Sequence, residues 1–233
     1  FDDHGTHVAG ISAARTDNAI GIAGVSGHST ILPLQFYGAG EWTAAVCNET
    51  FTYAADNGAN VVNTSYNING WVGDPVFTAG MQYMHDEGVL HFNSGGNGSE
   101  LNPARQAFHQ TLLTVSTNAS DVKSGFSNYG TGMDISAPGS DVYSTVTSNG
   151  YGYKSGTSMA APNAAGAAAL IWSANPDWNS YQVAAQLLAT ADDIDDQNPS
   201  YAGLLGAGRV NTYTAMSSTL GPPVLKSTEG MPA

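Results

Sequence analysis

The sequence predicts an α/β domain, a mostly parallel central sheet flanked by helices in three layers, and three observations lead there. Short apolar, β-branched runs alternate with longer segments of helical periodicity, the pattern of successive βαβ units. The helical segments carry start and stop residues where such units need them. One segment, 157–174, holds eight alanines with Gly166 between Met159 and Leu170. Side chains that small suit a helix crowded on every side at the centre of the molecule.

Each element has its own local signal. Candidate strands lie at 31–36, 60–65, 88–92 and 112–116. A helix at 42–57, stopped by Gly58, fills the first gap. In the next, Asp74 caps a helix, Pro75 suits its first turn, Val76, Tyr83 and Met84 share one face, and Gly88 ends it. Asn179 and Gln182 have the spacing of a capping box, opening a helix to about Ala191. His4 stands where a helix starts, ahead of the apolar Val8, Ala9 and Ile11. From Ser217 the pattern dissolves into Pro, Gly and Ser, so the folded domain is expected over 1–216 and a linker or tail over 217–233.

Composition narrows the function classes. The chain has 233 residues, 42% of them hydrophobic, enough for one sizeable core. Six Lys and Arg against 19 Asp and Glu give a formal charge of −13, which repels phosphate backbones and anionic lipid and speaks against nucleic-acid and membrane partners. Cys47 is the only cysteine, so an intrachain disulfide and a Cys-rich metal site are excluded. No apolar run reaches the ~20 residues of a membrane span. The chain opens inside a helix-like segment, so the lack of a leader pattern carries no weight.

Three segments could carry chemistry. In KSGTSMAAPNAAG, residues 154–166, Ser158 is a small, Gly-flanked hydroxyl at the mouth of a helix whose N–H groups suit an oxyanion. Its plain alternative is a helix cap. The turn is not the G-x-S-x-G elbow, because residue 160 is Ala. His4 and His7 share one helical turn; His4 is the better-placed base for a serine and His7 the structural one. In HFNSGGNGS, residues 91–99, a strand ends in a glycine-rich turn that presents Asn97 at the carboxyl edge of the sheet.

Together these segments resemble the subtilisin-like serine proteases. HGTHVAG at 4–10 and GTSMAAP at 156–162 carry most of the resemblance. GIAGV at 21–25, VVNTS at 61–65, the turn at 94–98, FSNYG at 126–130, ISAPG at 135–139 and GAGRVN at 206–211 follow in the family's order. The resemblance implies a subtilisin-like three-layer fold and peptide-bond hydrolysis through an acyl-enzyme. Ser158 would be the nucleophile, His4 the general base, and Asn97 with the Ser158 N–H the oxyanion donors. It implies an extended peptide substrate paired with Gly38, Ala39 and Gly40 on one side and Ser65, Tyr66 and Asn67 on the other, with Gly95 and Gly96 lining the site. No cofactor is implied for catalysis. A structural calcium is implied on the loop RTDNAIGI, where Asp17 and Asn18 could each supply an oxygen; a simple Asx turn is the other reading of that pair. Secretion to the extracellular space, and a propeptide or N-terminal segment as partner, belong to the same picture.

The chain departs from the family in three places. Ser65-Tyr66-Asn67-Ile68 stands where many members carry a Gly pair, altering the wall of the pocket for the residue before the scissile bond. Asn163 replaces a common His. The family's catalytic aspartate lies on a strand upstream of the histidine, where this chain has only Phe1, Asp2 and Asp3. Asp3 is expected to act as a helix N-terminal charge, and the triad acid and its strand to lie outside the chain. The 233 residues alone are then expected to be nearly inactive. A catalytically inactive, peptide-binding relative of such proteases is the alternative.

Overall fold

A computed structural model of the chain describes residues 3–35 and 42–218. At its centre four parallel strands, β1 (Val61–Thr64), β2 (Leu90–Ser94), β3 (Leu112–Thr117) and β4 (Ile135–Pro138), lie side by side in chain order. Alternation assigns their faces. Leu90, Phe92, Ile135 and Ala137 point to one side and pack on helix α4 (Thr157–Ala174) and α5 (Ser180–Ala189). On the opposite side α2 (Ala44–Asp56) and α3 (Pro75–Asp86) enclose Phe51, Phe77, Met81 and Met84, with Val62 against them. The three layers are those the alternating pattern predicts.

Helix α4 runs beneath all four strands, and its alanines are what permit this. Ala160, Ala161, Ala164, Ala167 and Ala168 are fully buried. Against α4 lies α1 (His4–Ala13), close enough that a methyl at Gly166 would sit 2.8 Å from Val25 Cβ and 3.0 Å from Ser12 O. The hairpin of β5 (Val142–Val146) and β6 (Gly150–Lys154) holds α1 from the other side: Ser144 Oγ donates to His7 O and Thr145 Oγ1 to Thr6 O, both at 2.8 Å. His7 takes the structural role, fully buried, with its Nε2 donating to Gly152 O at 3.1 Å.

The caps fall where the sequence places them. Asp74 accepts from Val76 N and Phe77 N, and the Asn179–Gln182 box is closed by both of its hydrogen bonds. Gly58 and Gly88 follow α2 and α3 with left-handed φ of +76° and +78°. Four expectations are corrected. Residues 31–35 form no strand: no β-ladder among the described residues includes them, and Ile31 and Leu32 stay exposed, because β propensity without a ladder partner does not make a strand. Phe36 lies outside the described residues. On α3, Val76 and Tyr83 face solvent, and the buried stripe is Phe77, Gly80, Met81 and Met84. The hairpin β5–β6 and β4 arise where no strand was expected, and a short helix α6 (Thr212–Ser217) docks on α5, Gln186 donating to Ala215 O at 2.9 Å.

Candidate active site

The candidate residues follow directly on the carboxyl ends of two adjacent strands. Ser65, Tyr66 and Asn67 continue from β1, and Gly95, Gly96 and Asn97 continue from β2. The N-terminus of α4 closes the gap between them with Ser158. Ser65 and Ser158 are bonded reciprocally: Ser65 Oγ donates to Ser158 O at 2.9 Å, and Ser158 Oγ donates to Ser65 O at 3.1 Å. This is the edge at which open α/β sheets place ligands.

Asn97 is exposed, yet its amide has one orientation. Thr157 donates to Asn97 Oδ1 from its backbone N at 2.9 Å and from its Oγ1 at 2.8 Å. Both are donors, so the oxygen faces Thr157 and Nδ2 faces away. A Cβ built on Gly156 would lie 3.5 Å from Asn97 Nδ2 and 3.6 Å from Ser158 N. The absence of a side chain at 156 therefore leaves a small space on which two N–H donors converge, at the positive end of an 18-residue helix.

Asn128, which sequence reasoning passed over as part of FSNYG, orders the glycine turn. Its Nδ2 donates to Gly95 O at 3.1 Å, its N donates to Gly96 O at 2.8 Å, and its Oδ1 accepts from Gly98 N and Glu100 N at 2.9 Å. Thr157 was also missed, although it precedes Ser158; its Oγ1 accepts from Gly96 N at 3.1 Å while donating to Asn97. No periodicity reveals such residues, because they act across 28 to 61 positions of chain.

His4 begins α1 and is half-buried. Two contacts tie α1 to its neighbours: near its C-terminal end Ser12 Oγ donates to Pro162 O of α4 at 3.0 Å, and ahead of its first turn Asp3 Oδ1 pairs with Lys154 Nζ of β6 at 2.7 Å. Asp3 stands at the N-cap position of α1, where a helix N-terminal charge was expected; its side chain makes no cap hydrogen bond, and its hydrogen bond with the Lys154 ammonium holds its carboxyl below the usual range.

The outer walls are mixed. Gly38, Ala39 and Gly40 lie outside the described residues. Tyr66 turns its ring inward, edge-on to Trp42 at 5.6 Å and with its OH 4.0 Å from Cys47 Sγ. Burial pushes its phenol well above the ordinary range. Asn67 stays at the surface and accepts from Arg105 Nη2 at 2.6 Å. Asn163, the other departure, ties α4 to β4 by donating to Pro138 O at 2.8 Å.

In the loop after α1, Asn18 Oδ1 accepts from Ile20 N at 3.0 Å in an Asx turn, and Asp17 stands 4.0 Å from His28 Nε2. Calcium takes roughly six to eight oxygens, backbone carbonyls among them, so these two side chains could supply only part of such a site. Among the described residues no three His, Cys, Asp or Glu side chains cluster to hold a metal ion. Nor is any helix among them long and apolar enough to cross a membrane.

A parallel sheet with a serine at a helix mouth, an exposed amide beside it and a histidine at the start of another helix carries the residue types that serine hydrolases use. The chain belongs to the subtilase family, whose model (Peptidase_S8, Subtilase family) matches residues 1–208. It is 38% identical over 217 residues to thermitase of Thermoactinomyces vulgaris, covering 91% of this chain and 74% of that protein. To Subtilisin Savinase of Lederbergia lenta it is 36% identical, covering 91% and 77%. It spans only 53% of the thermophilic serine proteinase of Bacillus sp. strain AK1, at 36% identity. Among solved structures, a protease of Pseudoalteromonas arctica PAMC 21717 superposes with a TM-score of 0.77 at 26% identity, covering 91% of this chain and 69% of that one.

Proposed function

We propose that this chain performs serine endopeptidase chemistry with Ser158, His4 and Asn97. Ser158 Oγ leaves its bond to Ser65 O and attacks the carbonyl carbon of an extended peptide, its proton passing to the His4 imidazole. The tetrahedral oxyanion takes hydrogen bonds from Asn97 Nδ2 and Ser158 N. The C–N bond then breaks, His4 returns the proton to the leaving amine, and an acyl ester remains on Ser158. Water, giving a proton to His4, hydrolyses that ester and Ser158 recovers its hydrogen.

The observation that carries this reading is the convergence of Asn97 Nδ2 and Ser158 N on the space above Gly156. Such preorganised donors matter most where charge develops, and they cost no reorganisation at the moment of reaction. The substrate runs along residues 65–67; the second pairing segment, 38–40, lies outside the described residues. Action outside the cell accords with the acidic, Lys-poor composition. The test is a fluorophosphonate probe on the full-length protein, with mass spectrometry of the adduct. Labelling at Ser158, abolished by Ser158→Ala and reduced by His4→Ala, is expected. Peptide binding without any labelling would instead mark an inactive peptide-binding relative.

A further inference from the structure

Arg105 is buried to 97% of its surface, its relative exposure being 3%, and nothing in the catalytic scheme uses it. It projects from the short 3-10 turn Ala104–Ala107 into the space between the two segments that border the groove. Nε donates to Asn69 Oδ1 at 2.9 Å and Nη2 to Asn67 Oδ1 at 2.6 Å, on the β1 side. Nη1 donates to Asn93 Oδ1 at 3.3 Å and to Ser94 O, on the β2 side. Every one of these acceptors is neutral, and among the described residues no carboxylate forms an ion pair with it. Nη2 also lies 3.3 Å from the point that a Cβ on Gly96 would occupy, directly behind the glycine turn.

An ion pair would cancel this charge at short range; four amide and carbonyl dipoles only solvate it. The guanidinium therefore projects a positive potential through a wall made of Asn67, Gly95 and Gly96, which lack bulk to screen it. One carboxylate, Glu100, acts on it without forming an ion pair, from an exposed position where water weakens its field. Burial lowers the guanidinium only to about 10, so it stays charged at any neutral pH.

We propose that Arg105 makes this pocket select acidic over basic side chains at the residue preceding the scissile bond. The inference rests on the reading of Ser65–Asn67 and Gly95–Gly96 as the walls of that pocket. A carboxylate entering it meets an unpaired buried cation and gains attraction; an ammonium meets repulsion and keeps no compensating partner. Arg105 is a positioning charge behind the wall and does not itself contact the scissile bond.

The test is kcat/KM of the full-length enzyme on four peptides that differ only at this residue, Glu against Gln and Lys against Met. At an effective dielectric of about 20, one charge across a thin wall supports a preference of ~10-fold or more for Glu over Gln and a similar penalty for Lys against Met. Arg105→Met should bring both ratios close to one, and Arg105→Lys should retain them. Asn69→Asp gives the guanidinium a counter-charge from behind, without removing it or touching the groove, and should collapse both ratios even where Arg105→Met fails to fold. Flat ratios in the unaltered enzyme, or ratios that survive in folded Arg105→Met or Asn69→Asp, overturn the proposal. Flat ratios with Ser158 still labelled overturn it alone; loss of both cleavage and labelling overturns the protease reading and this inference with it.

Discussion

Asn97 is solvent-exposed and still held in one pose, which separates what its amide can do from what a surface asparagine ordinarily does. Replacing it by Leu removes one donor and leaves the Thr157 N–H and OH without their acceptor. In subtilisin itself, loss of the corresponding donor costs about 10²–10³ in kcat. A fall of that size, with KM changed less than about threefold, is expected for Asn97→Leu in steady-state assays of the full-length protein. Gly156→Ala is a sharper probe of the same space. Its backbone φ of 163° is extended and costs an alanine nothing, and its Cβ contacts of 3.5–3.8 Å are ordinary, so the melting temperature should hold. The methyl would nevertheless stand where the oxyanion must sit, so kcat should drop at least ~10-fold. An unchanged kcat would remove the oxyanion role from that space. Ser158, His4 and Asn97 were legible because their neighbours are chemically distinctive; Thr157, Asn128 and Arg105 were not, because nothing local marks a residue that acts on a distant turn.

Helix α4 sets the position of everything at its N-terminus, and its tolerance is small. Gly166 lies against Ser12 and Val25, where an added methyl comes within 2.8 Å of Val25 Cβ. Gly166→Ala is expected to cost about 1–3 kcal/mol by overpacking, and to reduce activity beyond what unfolding explains, because α1 carries His4 on that contact. Thermal unfolding and kcat measured together check this; a neutral effect on both would show that the two helices can part. On β2, His91 is buried and its Nε2 bonds Thr64 Oγ1 at 2.7 Å, with burial lowering its pKa to about 3 from 6.5. Between those values the unfolded chain binds a proton that the folded chain refuses, so stability falls as pH drops from about 6.5 to 3. Asp134, raised by burial to about 6 from 3.8, acts the other way and weakens the fold as pH rises from about 4 to 6. The displacements are roughly 3.5 and 2 pH units, at most about 5 and 3 kcal/mol, so the His91 contribution is the larger and a net loss of stability on acidification is expected. His91→Gln should flatten the acid limb of a denaturant-stability profile; an unaltered limb would place the lability elsewhere.

At the scale of the molecule, a charge of −13 spread over a chain with six Lys and Arg implies self-repulsion in the compact state. Two of the few cations join elements: Lys154 ties β6 to the start of α1, and Arg209 bridges Asp121 and Asp192. Raising the salt from ~0.05 to ~0.5 M should therefore increase the melting temperature by a few degrees, as screening relieves the excess negative charge more than it weakens these pairs. A decrease on adding salt would mean that the pairs dominate.

The sequence alone determined the fold class, the order of most elements, their caps, and the residue types of a serine-hydrolase site. Those properties reside in local spacing: an alanine-rich helix, a capping box, a glycine turn after a strand. Only the tertiary structure decided which face of α3 is buried, that 31–35 has no ladder among the described residues, and that β4 and the β5–β6 hairpin form. It alone brought Asn97 Nδ2 and Ser158 N to one point and set Arg105 behind the glycine turn. The physical reason is common to all of these. Pairing, burial and electric fields depend on what lies across space from a residue, and sequence neighbours carry no record of that.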